Sequence, residues 1–113
     1  MGRDPLVHSG TRGAVASWAK TLAGEIARFG ITVNNVLPGA TRTGRLEAVL
    51  ANQAKAQNKA ADVVEREMIA EIPMGRIGEP AEIAAAVAFL AGPTAGYITG
   101  VSLAVDGGRT SAL

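Results

Sequence analysis

The sequence contains no cysteine, which excludes disulfides and thiolate metal sites and leaves the redox compartment open. Aromatic residues are scarce, 4% of the chain, with a single tyrosine and a single tryptophan. An excess of one charge is also lacking. Eleven basic and ten acidic residues leave a net charge of +1, which points to neither a nucleic-acid partner nor an anionic membrane. No apolar run approaches the roughly 18 residues a membrane span needs, and the N-terminus has no signal-peptide pattern. The expectation is a cytoplasmic protein with no metal site.

What remains is a chain of 113 residues, 48% apolar and 19% charged. That is the composition of a soluble globular protein with room for one domain and a modest core. Alanine and glycine are plentiful, which suits helices packed closely on a sheet.

The segment "VHSGTRGAVASWAK", residues 7 to 20, opens a long amphipathic helix. Val15, Trp18, Ala19, Leu22, Ala23, Ile26 and Phe29 recur at helical spacing and predict one buried stripe over 11–29. Ser9 is placed to cap its start, and Gly30 to cap its end in the left-handed conformation. His8 and Arg12, four residues apart, share one helical face at its entrance. "ITVNNVL", residues 31–37, reads as a strand, although its two asparagines are costly there unless their amides find partners. "PG" at 38–39 ends it abruptly. In open parallel sheets, ligands bind at this C-terminal edge.

Residues 40–72 read as an insertion of one or two polar helices, with Leu46, Val49, Leu50, Val63, Val64 and Met68 as a sparse apolar face. The insertion suits a mobile lid or substrate loop as well as it suits a solvated helix pair. Its cations Arg42, Arg45 and Arg66 either meet an acidic group or face water. Pro80 suits the first turn of a helix that buries Ile83, Val87 and Leu90 and closes at Gly92. Val101, Leu103 and Val105 then alternate in a strand ending at the Asp106-Gly107-Gly108 turn. Helix, strand, insertion, helix, strand is half of a parallel α/β sheet, its two strands joined by a right-handed crossover.

Three stretches carry a resemblance: "AKTLAGEIARFGITVNNVLPG", "PMGRIGEPAEIAAAVAFLAG" and "YITGVSLAVDGG". In this order they resemble the C-terminal half of the short-chain dehydrogenase/reductase family, 3-oxoacyl-[acyl-carrier-protein] reductase-like members in particular, from about Pro5 to Gly108. The resemblance implies the C-terminal part of a Rossmann-type doubly wound parallel sheet and a hydride transfer between NAD or NADP and a small carbonyl or alcohol substrate. It implies that Pro38, Gly39 and Thr43 lie along the nicotinamide and pyrophosphate, and that the backbone near Thr41 meets the carboxamide. It also implies a homo-oligomer formed through the 11–29 helix and the 101–105 strand.

The same resemblance places His8 and Arg12 where the family carries a catalytic Tyr and Lys. Tyr97, the one tyrosine, is followed four residues on by Val101, so the pair is not displaced elsewhere. Histidine titrates near neutrality and is a competent acid/base. Arginine can hold ribose hydroxyls through its planar fork but cannot release a proton, and its charge lowers the histidine's affinity for one. His8 and Arg12 are therefore the candidate catalytic residues, with Arg12 also facing the coenzyme. The family's glycine-rich pyrophosphate loop, its Asn-Asn-Ala-Gly stretch and its active-site serine have no counterpart here. The sequence is thus expected to be the C-terminal portion, 1–113, of a longer Rossmann-fold protein. Three functions follow: an oxidoreductase, a non-catalytic reductase-like scaffold that has lost the Tyr/Lys pair, and an oligomerisation module.

Overall fold

The computed structural model describes the backbone of residues 5–109 and the side chains of residues 15–109. The fold is α/β, in the order α1 (Pro5–Ile26), a 3-10 turn (Ala27–Phe29), β1 (Asn35–Pro38), α2 (Gly44–Gln57), α3 (Ala61–Ala70), α4 (Pro80–Ala91), a second 3-10 turn (Pro93–Ala95) and β2 (Ser102–Val105). β1 and β2 form a two-stranded parallel sheet, with Asn35 N donating to Val101 O and Gly39 N to Val105 O. Among the described residues no helix is long and apolar enough to cross a membrane. The chain divides into two compact units, Met1–Val36 with Val87–Leu103, and Leu37–Ala86 with Ala104–Leu113.

In the first unit α1 starts at Pro5, upstream of Ser9, so Ser9 lies inside the helix rather than at its cap. Proline suits a first helical turn because its missing N–H has no helical acceptor there. Gly30 closes the following 3-10 turn at φ 74°, as its position after Arg28 predicts. Among the described side chains of α1, Ala19 and Ala23 are buried, while Val15, Trp18 and, just beyond the helix, Phe29 are exposed. Small residues are inside because backbone approaches them: a Cβ on Gly100 would sit 3.6 Å from that of Ala23.

The predicted strand 31–37 is shortened to a start at Asn35 because Val33 and Asn34 bond differently. Val33 N donates to Thr99 Oγ1 at 3.0 Å, and Gly100 N donates to Val33 O at 2.7 Å. The Asn34 amide donates to Ile98 O at 3.2 Å and accepts from Val101 N at 3.0 Å, acting as one more peptide group in the ladder. The costly asparagine has its partners.

In the second unit α2 and α3 form a helical hairpin. Asn58, at φ 55°, stops α2 in the left-handed conformation, which asparagine tolerates better than other non-glycine residues. Leu50, Ala54 and Val64 are its buried core, with Leu46 and Met68 packed against them. Val49, expected on this apolar face, is 44% exposed. The turn after β2 is fixed on the segment following α3. Met74 N donates to Gly107 O at 3.0 Å, Gly108 N donates to Asp106 Oδ1 at 3.0 Å, and Arg109 pairs with Glu71. Gly107 is left-handed at φ 65°, and a Cβ on it would meet Ile72 Cγ2 at 2.8 Å. In α4, Leu90 is buried, but Val87 is 48% exposed and Ile83 half-buried, so the three do not form the single buried face expected.

Candidate functional site

The site is built where β1 ends. Pro38 has no N–H to extend the ladder, and Gly39 follows. A Cβ on Gly39 would lie 2.6 Å from Asp106 Cβ and 2.8 Å from Asp106 Cα, so only glycine fits without displacing a neighbour. Within the chain itself, the close approach that Gly39 permits is that of Asp106.

The segment beyond is held on both sides. Arg42 N donates to Gly78 O at 2.8 Å and Gly78 N to Ala40 O at 2.9 Å, a one-residue parallel bridge. Thr41 Oγ1 donates to Gly39 O at 2.9 Å, which leaves its lone pairs as acceptors. Thr43 is the N-cap of α2, its Oγ1 accepting from Leu46 N at 3.2 Å. Because that bond uses an oxygen lone pair, the hydroxyl proton is left to donate. The two threonines therefore present opposite polarities at one helix entrance.

Between them, Arg42 ties the hairpin down. Its Nη1 and Nη2 donate to the two carboxylate oxygens of Glu65, both at 3.0 Å, and Nη1 also donates to Glu47 Oε2 at 2.9 Å. The fork-to-fork bonds from Arg42 hold the Glu65 carboxyl below its usual range, and the Glu65 and Glu47 bonds raise the Arg42 pKa further. A guanidinium on the strand-ending loop thus grips α3 and the first turn of α2 together.

Pro38, Gly39, Thr41 and Thr43 line one cavity of about 610 Å³, with Arg45, Leu46 and Val49 of α2 and Pro80, Ile83 and Ala84 of α4. Pro80, Ile83 and Ala84 of that lining come from some forty residues further along the chain, beyond the reach of local sequence signals. The usable signal for α2 was the four-residue interval between Arg45 and Val49. A separate cavity of about 510 Å³ adjoins Asp106 and Gly107 and includes Arg76 and Glu82. Those two are committed to each other through paired bonds at 2.8 Å, and Glu82 also accepts from Glu79 N at 2.9 Å. The Arg76 bonds first, and the Glu79 amide second, lower the Glu82 pKa to about 2. The side chains of His8 and Arg12, the remaining candidates, lie outside the described residues.

Residues 2–110 match the family described as enoyl-(acyl carrier protein) reductase. The 3-oxoacyl-[acyl-carrier-protein] reductase FabG of Vibrio cholerae is 41% identical over 101 residues, which cover 89% of this chain and 37% of that protein. A chloroplastic tropinone reductase homolog of Arabidopsis thaliana is 40% identical over 108 residues, covering 96% of this chain and 31% of the relative. Among solved structures, a short chain dehydrogenase family protein of Francisella tularensis has a TM-score of 0.83 at 33% identity, covering 88% of this chain and 41% of that one. An actinorhodin polyketide ketoreductase solved with NADPH has a TM-score of 0.79 at 35% identity, covering 89% and 39%. The chain spans about a third of the length of the curated relatives it matches.

Proposed function

The chain belongs to the short-chain dehydrogenase/reductase family, and on that footing we propose that its protein is an NAD- or NADP-dependent oxidoreductase acting on a small carbonyl or alcohol, with a 3-oxoacyl compound as one candidate substrate. The observation that carries this reading is the convergence of Pro38, Gly39, Thr41 and Thr43 on one cavity at the C-terminal end of a parallel strand. Ligands of open parallel sheets bind at this edge.

The donor set fits a nicotinamide coenzyme. Thr43 offers a hydroxyl proton to a phosphate oxygen, and the amides of Gly44 and Arg45, which have no carbonyl within the helix, add two more donors at the same helix end. Thr41 offers acceptor capacity toward the carboxamide amine. Leu46, Val49 and Ile83 supply an apolar wall beside the polar groups. When bound, the nicotinamide supplies the hydride in reduction and takes it in oxidation. His8 gives a proton to the carbonyl oxygen in the first direction and receives one from the hydroxyl in the second. Arg12 holds the ribose hydroxyls and, as a neighbouring cation, keeps the imidazole readier to lose its proton. The 40–72 insertion serves as the substrate loop within a Rossmann-type domain.

The same reading sets the protein in the cytoplasm as a homo-oligomer, associating through the 11–29 helix and the 101–105 strand. Exposed Trp18 and Phe29 on the first, and exposed Val101 and Leu103 on the second, support that assignment.

One specific observation favours a second reading, a non-catalytic scaffold or oligomerisation module: the family's Tyr and Lys are His8 and Arg12 here. The full-length protein, mixed with NADPH and a 3-oxoacyl thioester, separates the two. The enzyme consumes the coenzyme and loses turnover in His8→Ala. Coenzyme binding without consumption identifies the scaffold, and absence of both overturns the oxidoreductase reading.

A further inference from the structure

We propose that Arg45 is the anion-recognising residue of the cavity at the end of β1, and that the ligand held there joins an apolar body to an anionic group. The inference rests on the reading of this cavity as the ligand site and names the chemistry of what enters it.

The 40–72 segment carries three arginines, Arg42, Arg45 and Arg66. Arg42 is committed to Glu65 and Glu47. Arg66 faces Asp62 one helical turn away, at 3.6 Å. Arg45 has no acidic partner among the described residues, and of the three it alone lines the cavity. Arg45 is exposed, and no carboxylate is among the residues that line the cavity. Val49, four residues on and therefore on the same side of α2, lines it as well, and Leu46 and Ile83 make the surrounding wall apolar.

Local helix energetics do not select an arginine at this position. Arg45 is the second residue of α2, and the first turn of a helix favours negative rather than positive charge. An anion in the cavity would meet the guanidinium and the helix end together. The planar fork gives two parallel N–H donors to a carboxylate or a phosphate. The required chemistry is therefore an oxyanion, either an acid group of the substrate or a phosphate of the coenzyme.

The test titrates the full-length protein with octanoate, octan-1-ol and NADPH, comparing wild type with Arg45→Gln, Arg45→Lys and the control Arg66→Gln. If the oxyanion is the substrate's, wild type prefers octanoate to octan-1-ol, Arg45→Gln abolishes the preference by about fivefold or more, and Arg45→Lys retains part of it. If it is the coenzyme's, the same loss in Arg45→Gln falls on NADPH, with octanoate unmoved. In both cases Arg66→Gln behaves as wild type and octan-1-ol affinity stays level. Equal affinities of wild type and Arg45→Gln for both octanoate and NADPH, or no binding of either, overturn the proposal. An Arg45-dependent octanoate preference in a protein that binds no NADPH leaves the anion site standing and removes the coenzyme reading instead.

Discussion

Gly39 and Asp106, sixty-seven residues apart, meet where the two strands end, so closely that a Cβ on Gly39 would stand 2.6 Å from the Asp106 Cβ. Backbone and Cβ atoms cannot swing aside as the end of a flexible side chain can. Gly39→Ala is therefore expected to cost about 1–3 kcal/mol of stability through overpacking. Urea unfolding without coenzyme is the check. A variant as stable as wild type would show that Asp106 yields, and would return Gly39 to a purely ligand-facing role.

Asn34 substitutes for a peptide group, donating to Ile98 O and accepting from Val101 N. Asn34→Leu removes both bonds and leaves an N–H and a carbonyl without partners, at an expected cost of about 1–3 kcal/mol. Asn34→Asp keeps the acceptor and sets a carboxylate against Ile98 O, so it is expected to fall between wild type and the leucine variant.

At Asn58 the left-handed φ of 55° decides the outcome. Asn58→Ala is expected to lose about 1 kcal/mol, because its Cβ approaches the following carbonyl without a polar side chain to compensate. Asn58→Gly adopts the angle freely and is expected to match or exceed wild type. Thermal melts that rank the alanine variant above the glycine one would contradict this account of how α2 stops.

The Arg76–Glu82 pair gives a pH dependence of defined sign. Glu82 titrates near 2 in the folded chain, below the ordinary carboxylate value of about 4.3 that applies when unfolded. A depressed carboxyl stabilises the fold above its unfolded pKa, and that contribution disappears as pH falls through the folded value. The melting temperature is expected to decline between about pH 4.5 and pH 2 more steeply in wild type than in Glu82→Gln. Parallel profiles would assign the acid sensitivity to other carboxylates.

Most of the element order was legible because its signals are local. Pro80 starts a helix, Gly30 caps a turn, and the Asp106-Gly107-Gly108 run makes one. Where the structure departs from local expectation, the cause is dependence on distant partners. The strand begins at Asn35 rather than Ile31 because Val33 and Asn34 bond to residues 98–101. The stripe on α1 buries its alanines and leaves Trp18 out because Gly100 brings backbone against Ala23. Ser9 is a plausible cap by type, yet Pro5 starts the helix earlier. Within the site, Pro38, Gly39, Thr41 and Thr43 could be named from their order alone. Glu65, which holds Arg42 from twenty-three residues away, and Ile83 in the cavity wall could not.

The most direct measurement is a titration of the full-length protein with NADPH and NADH, wild type against Thr43→Val. Valine keeps the shape of threonine and removes its hydroxyl together with the cap on Leu46 N, so unfolding of both proteins by urea is followed alongside to separate loss of the cap from loss of binding. Reduced coenzyme is expected to bind wild type and to weaken by about tenfold in the variant, the loss of one hydrogen bond to a charged oxygen. Binding of equal strength in both proteins, or in neither, would contradict a coenzyme site at the end of β1.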